Sequence, residues 1–388
     1  MDSWKRVVYL QGNTLDMELD NHSLERYSRQ LLLKGFGVAG QKRLHHARVL
    51  VVGLGGLGCP VVQTLAGAGV GHLGLVDGDK VSRSNLHRQL IYKESDIGQL
   101  KVNVAKQFIQ AINTTVQVTC FPEFLNSDNA KEIAQDFDIL VDCSDNFPCR
   151  YLVNDLGVIL NKPVVFGAVH AFEGQVAVFN VAQGSGWSPN YRDLYPTPPA
   201  PDTVHNCAET GVLGVLPSIV GNMQALETIK WICGLGDLLL GKLWMFDGLS
   251  NKATIIKYTA QVNRDTIQAL VDYEQFCGIS STAGNDLEVS PLTLKEWLAS
   301  EEVYLLDIRT AGERAITDIG GTWVDPQYLD TFLSNLPAGR KVVLYCRSGR
   351  RSLNLAVKYQ TNQNIQLFSL KGGLLGYRDY FALDIPQY

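Results

Sequence analysis

The chain has 388 residues with a formal net charge of -5, from 34 Lys and Arg against 39 Asp and Glu, and 46% of its residues are hydrophobic. At roughly 100–200 residues per domain, this length allows two or three domains that each bury a core. The mild acidity, without a block of like charges, excludes a protein held to nucleic acid or to an anionic membrane by a broad basic face.

Eight cysteines are scattered along the chain rather than grouped in a small disulfide-rich segment. The first residues lack a charged stretch followed by an apolar one, and no apolar run approaches the roughly 18 residues that span a bilayer. We therefore expect a cytoplasmic protein with no membrane segment, whose reduced thiols are free for chemistry.

From Arg48 onward, short β-branched apolar runs alternate with helix-length segments, which is typical of βαβ units and a mainly parallel sheet. The predicted strands are Arg48–Val52, Leu73–Val76, Val116–Cys120, Asp138–Val141, Pro163–Phe166 and Gln175–Phe179. A helix over Pro217–Gly234 and strands at Lys242–Phe246 and Thr254–Tyr258 complete this domain. The pattern predicts an α/β fold of the doubly wound, Rossmann-like type.

Residues Asn180–Thr210 are rich in Pro, Gly, Ser and Asn and have no periodicity. A loop of this length inside a compact domain is usually functional or mobile.

A polar segment of small residues at 279–286 is typical of a linker. After it, strands are predicted at Val303–Leu306, Lys341–Tyr345 and Ile365–Leu370, with a helix at Arg351–Gln360. About 100 residues suffice for a small α/β domain with its own core. We thus predict an N-terminal extension at 1–23, a nucleotide-binding domain at 24–278, a linker at 279–286 and a second domain at 287–388.

The glycine-rich run Gly53–Gly58 directly follows a predicted strand and opens a helix. Its glycines permit a tight turn and let backbone N–H groups and the helix N-terminus face a phosphate. Asp77 ends the next strand, where a ribose hydroxyl would lie. This pattern predicts a nucleotide site without separating NAD from ATP; the alternative is a turn that only serves helix packing.

Three charged residues downstream favour phosphate-bond chemistry over hydride transfer. Arg88 and Lys101 supply cations that would stabilise a transferring phosphoryl group and its pyrophosphate leaving group. Asp145 follows the strand Asp138–Val141, at the edge of the sheet where ligands bind, and is a candidate ligand for Mg²⁺. Each of them alone is more often a solvated surface residue.

Over roughly Leu24–Gly278, the sequence resembles the MoeB/ThiF-type family of ubiquitin-activating-enzyme-like adenylating proteins. The residues that carry the resemblance are Arg26–Gln30, Gly53–Gly58, Ser84–Gln89, Lys101 and Asp142–Asn146. In that family, ATP adenylates the C-terminal Gly-Gly carboxylate of a small β-grasp protein. The resemblance implies that ATP is bound by Gly53, Gly55, Gly56, Asp77, Ser84, Asn85, Arg88, Lys101 and Asn146, with Mg²⁺ on Asp145.

The resemblance further implies a homodimer in which Arg29 reaches the ATP of the other subunit. The helical pattern is compatible, because Leu24, Tyr27 and Leu31 form one apolar stripe that leaves Arg26 and Arg29 off it. Cys207 lies in the long loop and matches the family's thioester or resolving cysteine. An exposed thiol in polar surroundings is of the reactive kind, whereas the alternative is a small hydrophobic core residue.

The second domain carries Cys346–Arg351 between a predicted strand and a predicted helix. Three arginines (Arg347, Arg350 and Arg351) and a helix N-terminus favour a thiolate or persulfide on Cys346 and hold an anion, and the backbone of Ser348 and Gly349 would face the sulfur. A tyrosine-phosphatase loop has the same layout but needs Arg at the sixth position after the cysteine. That position is Ser352, which disfavours a phosphatase.

Together with Leu305–Arg309 and Leu370–Leu374, this loop resembles the rhodanese domain of fused adenylyl- and sulfurtransferases, over about Leu287–Tyr388. The alternative is a rhodanese fold without catalysis. One departure is Thr317–Gly321, where rhodaneses usually have a Gly-His-Ile-Pro-Gly run. This difference affects the prediction of the surface loops and not that of Cys346.

A second departure concerns structural zinc, which the adenylating family often binds with two Cys-x-x-Cys pairs. Asn190 and Asp193 stand where the first pair would be, and only Cys277 remains of the second. Structural zinc needs four Cys or His ligands, so we predict no zinc and expect packing alone to hold the loop.

The residues and the resemblance together predict an adenylyltransferase that activates a carrier carboxylate, followed by sulfur transfer from a persulfide on Cys346. A sulfur donor such as a cysteine desulfurase would load the persulfide. The order in which Cys207 and Cys346 act stays open. The alternatives are an NAD-dependent dehydrogenase with a regulatory rhodanese domain and a non-catalytic scaffold that binds a β-grasp partner.

Overall fold

The computed structural model describes residues 19–184, 186–199, 211–278, 285–300, 303–337, 339–359 and 365–386. The chain divides into two compact units, Met1–Gly278 and Ile279–Tyr388. Within the described ranges, no helix combines the length and the apolar composition needed to cross a membrane.

The larger unit is built on one sheet with helices on its faces. Its strands are β1 Arg48–Val52, β2 His72–Val76, β3 Gln117–Phe121, β4 Ile139–Asp142, β5 Val164–His170, β6 Glu173–Phe179, β7 Ala182–Gln183, β8 Gly186–Trp187, β9 Lys242–Asp247 and β10 Lys252–Lys257. Its α-helices are α1 Asn21–Leu31, α2 Gly37–His46, α3 Gly58–Ala68, α4 Lys101–Ile112, α5 Ala130–Ala134, α6 Phe147–Ile159, α7 Tyr191–Leu194, α8 Val215–Cys233 and α9 Tyr273–Phe276.

The main sheet has the order β10-β9-β6-β5-β4-β1-β2-β3. Strands β1 to β5 pair in parallel, and β6, β9 and β10 extend the sheet in antiparallel register. The core strands are buried because both faces are covered, as expected for strands that read as continuous apolar runs. Strand β2 is added on one side of β1, and β4 is added later on the other side. A crevice therefore opens at the carboxyl ends of these strands.

The predicted strands of this unit are observed: the bounds of Arg48–Val52 match those of β1, and the others are displaced at one or both ends. β5 continues beyond Phe166 to His170, where it pairs with Glu173 of β6. The last residues of β5 are held by hydrogen bonds to β6 rather than by burial. The apolar run in the sequence therefore ends before the strand does.

The segment 180–199 is more ordered than the predicted loop, since it contains the hairpin β7–β8 and helix α7. The expectation that packing alone holds it is wrong. Arg192 of α7 donates from Nε and Nη2 to the Asp155 carboxylate at 2.8 and 2.7 Å, and Tyr273 donates its hydroxyl proton to the same carboxylate at 2.7 Å. A buried ion pair therefore joins α7, α6 and α9.

The residues at the positions of the family's zinc ligands have other partners. Asn190 Oδ1 accepts the Arg192 N–H at 2.9 Å, which begins helix α7. The two oxygens of Asp193 accept N–H groups from Asn190, at 2.8 Å, and from Gln261 and Val262, at 2.6 and 2.7 Å. These residues do not fit a zinc site, because their oxygens already bind the backbone.

The smaller unit is a parallel α/β domain with sheet order β11-β15-β14-β12-β13. Its strands are β11 Glu288–Val289, β12 Val303–Asp307, β13 Thr322–Trp323, β14 Arg340–Tyr345 and β15 Ile365–Leu370. Its α-helices are α10 Pro291–Ala299, α11 Ala311–Ile316, α12 Leu329–Ser334, α13 Arg350–Lys358 and α14 Gly373–Phe381. Apolar clusters pack on both faces of the sheet, which gives this unit its own core.

We predict that the Arg192→Met variant loses about 3 kcal/mol of unfolding free energy, because it leaves the Asp155 carboxylate buried without its cation. Urea denaturation of the full chain measures this loss. Incubation of the unaltered protein with a chelator should leave the urea midpoint unchanged. A midpoint that falls with the chelator would mean that a metal, and not this ion pair, holds the segment.

Candidate functional site

The glycine-rich loop follows β1 and allows no side chain at two of its positions. Gly53 has φ +90°, and a Cβ there would lie 2.8 Å from the carbonyl oxygen of Cys143. A Cβ on Gly58 would lie 2.0 Å from the carbonyl oxygen of Gly53. These close approaches draw the loop back over the ends of β1 and β4 and aim helix α3 at the crevice.

Buried side chains tie the backbone of Leu54 on both sides. Its N–H donates to Asp77 Oδ2 at 2.7 Å, and its carbonyl accepts the hydroxyl of Tyr92 at 2.9 Å. Asp77 Oδ1 accepts the N–H of Asp79 at 2.8 Å, and burial raises the pKa of Asp77. Asp77 therefore shapes the loop besides lying where sequence reasoning expects the ribose.

The segment after β2 brings Arg88 beside the loop. Asn85 closes a 3₁₀ turn by accepting the N–H of Ser82 at 3.1 Å, and Arg88 Nη1 donates to the carbonyl of Ser84 at 2.8 Å. The Cδ atom of Arg88 lies 3.6 Å from the position that a Cβ would take on Gly56. The guanidinium is thus held at the loop by a backbone contact.

Lys101 begins helix α4 and points back to the end of β2. Its side chain is only 6% exposed, and Nζ donates to Asp79 Oδ2 at 2.9 Å. Asp79 lies outside the set of residues that sequence reasoning selects, although it stands two positions after Asp77. Its charge balances a lysine that is otherwise expensive to bury.

Asp145 and Asn146 lie beyond the carboxyl end of β4. The buried Asp142 accepts the N–H and hydroxyl of Ser144 at 3.0 and 2.7 Å, and burial raises the pKa of Asp142. Asp145 is exposed, and Asn146 caps helix α6 by accepting the N–H of Cys149 at 3.0 Å. Because Asp142 pairs with Val52 in register, this turn lies at the same sheet edge as the glycine-rich loop.

The structure therefore brings the predicted nucleotide-site residues of one chain to a single sheet edge. They comprise Gly53, Gly55, Gly56, Asp77, Ser84, Asn85, Arg88, Lys101, Asp145 and Asn146. The exposed Asp145 carboxylate fits Mg²⁺, which retains several waters and needs few protein ligands, whereas the Asn146 amide nitrogen faces this carboxylate at 3.4 Å and its oxygen caps α6. The described ranges hold no group of three or more His, Cys, Asp or Glu residues arranged to bind a metal.

Sequence reasoning did not single out Gln89, which also lies at this edge. It is 3% exposed, and its Nε2 atom lies 3.8 Å from the Cβ position of Gly55. Its Oε1 atom has no hydrogen-bond partner among the described residues. A buried amide acceptor beside a nucleotide loop is the structural signal that the sequence alone does not provide.

Arg29 lies at the far end of helix α3 from the loop. Its neighbour Gln30 donates to the carbonyl of Ala68 at 2.9 Å, and Tyr27 packs on Gly69. The 11-residue helix α3 separates these contacts from the loop by about 16 Å. The predicted apolar stripe of α1 is only partly buried: Tyr27 is buried, whereas Leu24 is 40% exposed. The reason is that α3 meets α1 near Tyr27.

Cys207 lies outside the described residues. Six of the other cysteines are buried or half-buried free thiols, namely Cys59, Cys120, Cys143, Cys149, Cys233 and Cys277. Burial raises the pKa of each of these six, to about 12 for Cys59 and Cys233 and to about 11 for Cys277. Such thiols behave as small hydrophobic side chains and are chemically inert.

Cys346 directly follows β14 in the smaller unit and is fully buried. Its carbonyl accepts the N–H of Leu374 at 2.9 Å, which ties the loop to helix α14. Gly349 has φ +86° at the start of helix α13, and Cβ atoms on Gly349 or Gly373 would collide with the facing backbone. The loop is thus wrapped tightly between β14 and two helix N-termini.

The arginines of this loop differ in their surroundings. Arg351 donates to both Glu313 oxygens at 3.1 and 2.5 Å, so its charge is largely neutralised. Arg350 is exposed and Arg347 is half-buried. Sequence reasoning missed Glu313, whose carboxylate also accepts the N–H of Thr310 at 2.9 Å. The charge of Arg351 is therefore shared with Glu313, whereas Arg350 faces the solvent.

Comparison with known proteins identifies the family. The model of the ThiF family matches residues 27–266. The chain is 39% identical over 378 residues to the probable adenylyltransferase/sulfurtransferase MoeZ of Mycobacterium tuberculosis, covering 95% of this chain and 96% of that protein. It is 42% identical over 400 residues to the adenylyltransferase and sulfurtransferase MOCS3-1 of Drosophila pseudoobscura pseudoobscura, covering 97% and 88%.

Among solved structures, the larger unit's architecture resembles that of E. coli MccB. The TM-score is 0.55 at 22% sequence identity, over 62% of this chain and 74% of the MccB chain. At this identity the likeness establishes the doubly wound fold.

A glycine-rich loop with cations at a switch point, followed by a cysteine loop in a second domain, defines an enzyme that joins nucleotidyl transfer to sulfur transfer. The chain belongs to the ThiF family, as a MoeB/ThiF-type adenylating domain fused to a rhodanese domain. It is an adenylyltransferase and sulfurtransferase.

We predict that Gly58→Ala weakens ATP binding at least tenfold, because the new methyl group displaces the Gly53 carbonyl and with it the loop. Gly67→Ala is the matched control: it lies in the same helix α3, its Cβ would meet no atom within 4 Å, and ATP affinity should stay unchanged. Isothermal titration with ATP and Mg²⁺ measures both. Equal affinities for the two variants would contradict a phosphate-binding role of the loop.

Proposed function

We propose that this enzyme uses ATP and Mg²⁺ to adenylate the C-terminal Gly-Gly carboxylate of a small β-grasp sulfur-carrier protein, and then converts it to a thiocarboxylate. The proposal rests on the position of Arg88 beside the glycine-rich loop and of Lys101 and Asp145 at the same sheet edge. A hydride-transferring enzyme has no need of two cations and a carboxylate beside its pyrophosphate. The joining of activation and sulfur chemistry on one chain follows from Cys346.

In the adenylation step, the carrier carboxylate attacks the α-phosphorus of ATP and pyrophosphate leaves with the electron pair of the broken P–O bond. The loop N–H groups and the α3 N-terminus bind phosphate oxygens. Arg88 and Lys101 stabilise the charge that develops on the leaving group. Lys101 reaches the phosphates by exchanging its Asp79 partner for a phosphate oxygen. Mg²⁺ on Asp145 neutralises phosphate charge when it is bound.

Arg29 acts on the nucleotide of the partner subunit in this proposal. The contacts of Tyr27 and Gln30 hold helix α1 about one helix length from the loop of its own chain, which supports action in trans. The exposed Leu32 and Leu33, just after α1, supply apolar surface suited to a subunit interface. A homodimer with two shared sites follows.

In the sulfur step, a donor such as a cysteine desulfurase leaves a persulfide on Cys346. Its outer sulfur attacks the carbonyl carbon of the acyl-adenylate, a C–S bond forms and AMP leaves with the electron pair of the broken C–O bond. The Cys207 thiolate then attacks Cys346 Sγ, and the carrier thiocarboxylate leaves as the S–S bond breaks. A dithiol reductant restores the two cysteines. In the alternative order, Cys207 first takes the acyl group as a thioester.

Carrier-dependent exchange of labelled pyrophosphate into ATP tests the adenylation half. Asp145→Asn should reduce the exchange rate by at least a hundredfold, because one Mg²⁺ ligand is lost in the transition state. The exposed Asp128→Asn serves as a charge-matched control that should retain full exchange. Exchange that survives in Asp145→Asn would show that this carboxylate is not part of the site. Exchange without any carrier would contradict the proposal that the carrier carboxylate is the substrate.

A mixed dimer tests the role of Arg29. Homodimers of Arg29→Ala and of Lys101→Ala should each be inactive in the exchange assay. A dimer with one subunit of each kind contains one site that draws an intact Arg29 and an intact Lys101 from different subunits, so about half of the activity should return. Arg29 acting within its own chain, by contrast, would leave the mixed dimer inactive.

A further inference from the structure

A pair of buried hydroxyl groups lies against the sulfur of Cys346. Ser352 Oγ is 3.6 Å from Cys346 Sγ and 2.8 Å from Ser369 Oγ. Ser352 lies in the first turns of α13, whereas Ser369 lies on β15, and both side chains are fully buried. Two serines from different elements thus meet beneath the cysteine, at a place where apolar side chains would pack without the need for partners.

The geometry gives these hydroxyls two arrangements of their protons. When Cys346 is a neutral thiol, Ser352 donates to the carbonyl of Gly349 at 2.9 Å and Ser369 donates to Ser352. When the sulfur is charged, Ser352 turns its proton to Sγ. Ser369 can then donate to the same Gly349 carbonyl at 3.3 Å, and the Leu353 N–H continues to bind it at 2.9 Å. The Gly349 carbonyl therefore keeps a donor in both arrangements.

We propose that Ser352, supported by Ser369, is a positioning residue that donates a hydrogen bond to the charged sulfur of Cys346. This inference rests on the proposed sulfur transfer. Sγ carries the charge when its thiolate attacks the sulfur donor, and the charge returns to Sγ when the dithiol reductant attacks Cys207 Sγ, so that the Cys207–Cys346 S–S bond breaks and Cys346 leaves with its electron pair. A hydrogen bond made only to the charged form stabilises this leaving group and also the thiolate that attacks the sulfur donor.

The charged residues around the sulfur stay the same in every variant used for the test. They are Arg347, Arg350, Arg351 with its partner Glu313, the buried pair formed by Asp307 at the end of β12 and Arg309 just after it, and Lys371 after β15. A difference between variants therefore reports on the hydroxyls.

The first test measures the rate at which iodoacetamide alkylates Cys346 in the full chain between pH 5 and 10, by mass spectrometry of its peptide. Since alkylation requires the thiolate, Ser352→Ala should react about tenfold more slowly near neutral pH and recover the unaltered rate at high pH. Ser369→Ala should give a smaller shift in the same direction. Ser352→Thr keeps the hydroxyl and should restore the original profile, and Ser334→Ala, on the surface of the same unit, should not change it.

A rate that falls equally at every pH would mean that Ser352 only packs the loop. An unchanged profile would mean that Ser352 makes no hydrogen bond to the charged sulfur. Either result overturns the inference.

Thiosulfate and cyanide serve as a second readout. Cys346 attacks the outer sulfur of thiosulfate and sulfite leaves, and cyanide then removes that sulfur as thiocyanate. Alkylation that follows the predicted profiles without any thiocyanate formation by the unaltered chain would contradict the sulfurtransferase proposal while leaving the role of Ser352 intact.

Discussion

The pairing of strand β1 with β2 on one side and with β4 on the other is the constraint on which the adenylating unit depends. Val52 lies in register with Val76 and with Asp142 at once. Because strands are added on both sides of β1, a crevice opens at the carboxyl ends of β1 and β4. The glycine-rich loop, Asp77 and Asp145 meet there although long stretches of sequence separate them.

Charge balance decides how this edge is built. Lys101 is almost fully buried, and Asp79 compensates its charge from the turn after β2. Asp77 and Asp142 are buried carboxylates that accept backbone N–H groups and so fix the turns after their strands. The buried carboxylates organise the backbone, while Asp145 is exposed, as its proposed role as a Mg²⁺ ligand requires. Position in the turn thus separates structural acids from the acid with a proposed chemical role.

The second unit repeats the same device with a different reactive group. A buried parallel strand ends at Cys346, a left-handed glycine turns the chain, and a helix begins directly afterwards. In the first unit such a turn is the proposed phosphate-binding loop, whereas here the turn begins at a cysteine. The buried Ser352 and Ser369 add donors that a phosphate loop on the surface does not require.

The sequence predicts the elements and the nucleotide-site segments because strands with covered faces read as apolar runs and because glycine-rich turns have few alternatives. It does not predict contacts between distant segments. The Arg192–Asp155–Tyr273 cluster joins three short elements whose pairing no local pattern encodes, so the segment without zinc ligands was expected to rest on packing alone. Asp79, Glu313 and Ser369 were missed for the same reason, since each is an ordinary polar residue until its partner is known.

The central claim is that activation and sulfur transfer act on one carrier carboxylate. Its most direct test is the intact mass of a Gly-Gly-ended carrier after incubation with this enzyme, ATP, Mg²⁺, a cysteine desulfurase with cysteine, and a dithiol reductant. The account predicts a carrier heavier by the difference between one sulfur and one oxygen atom, with no such product from Cys346→Ala. A carrier that is adenylated but gains sulfur equally well with Cys346→Ala would contradict it.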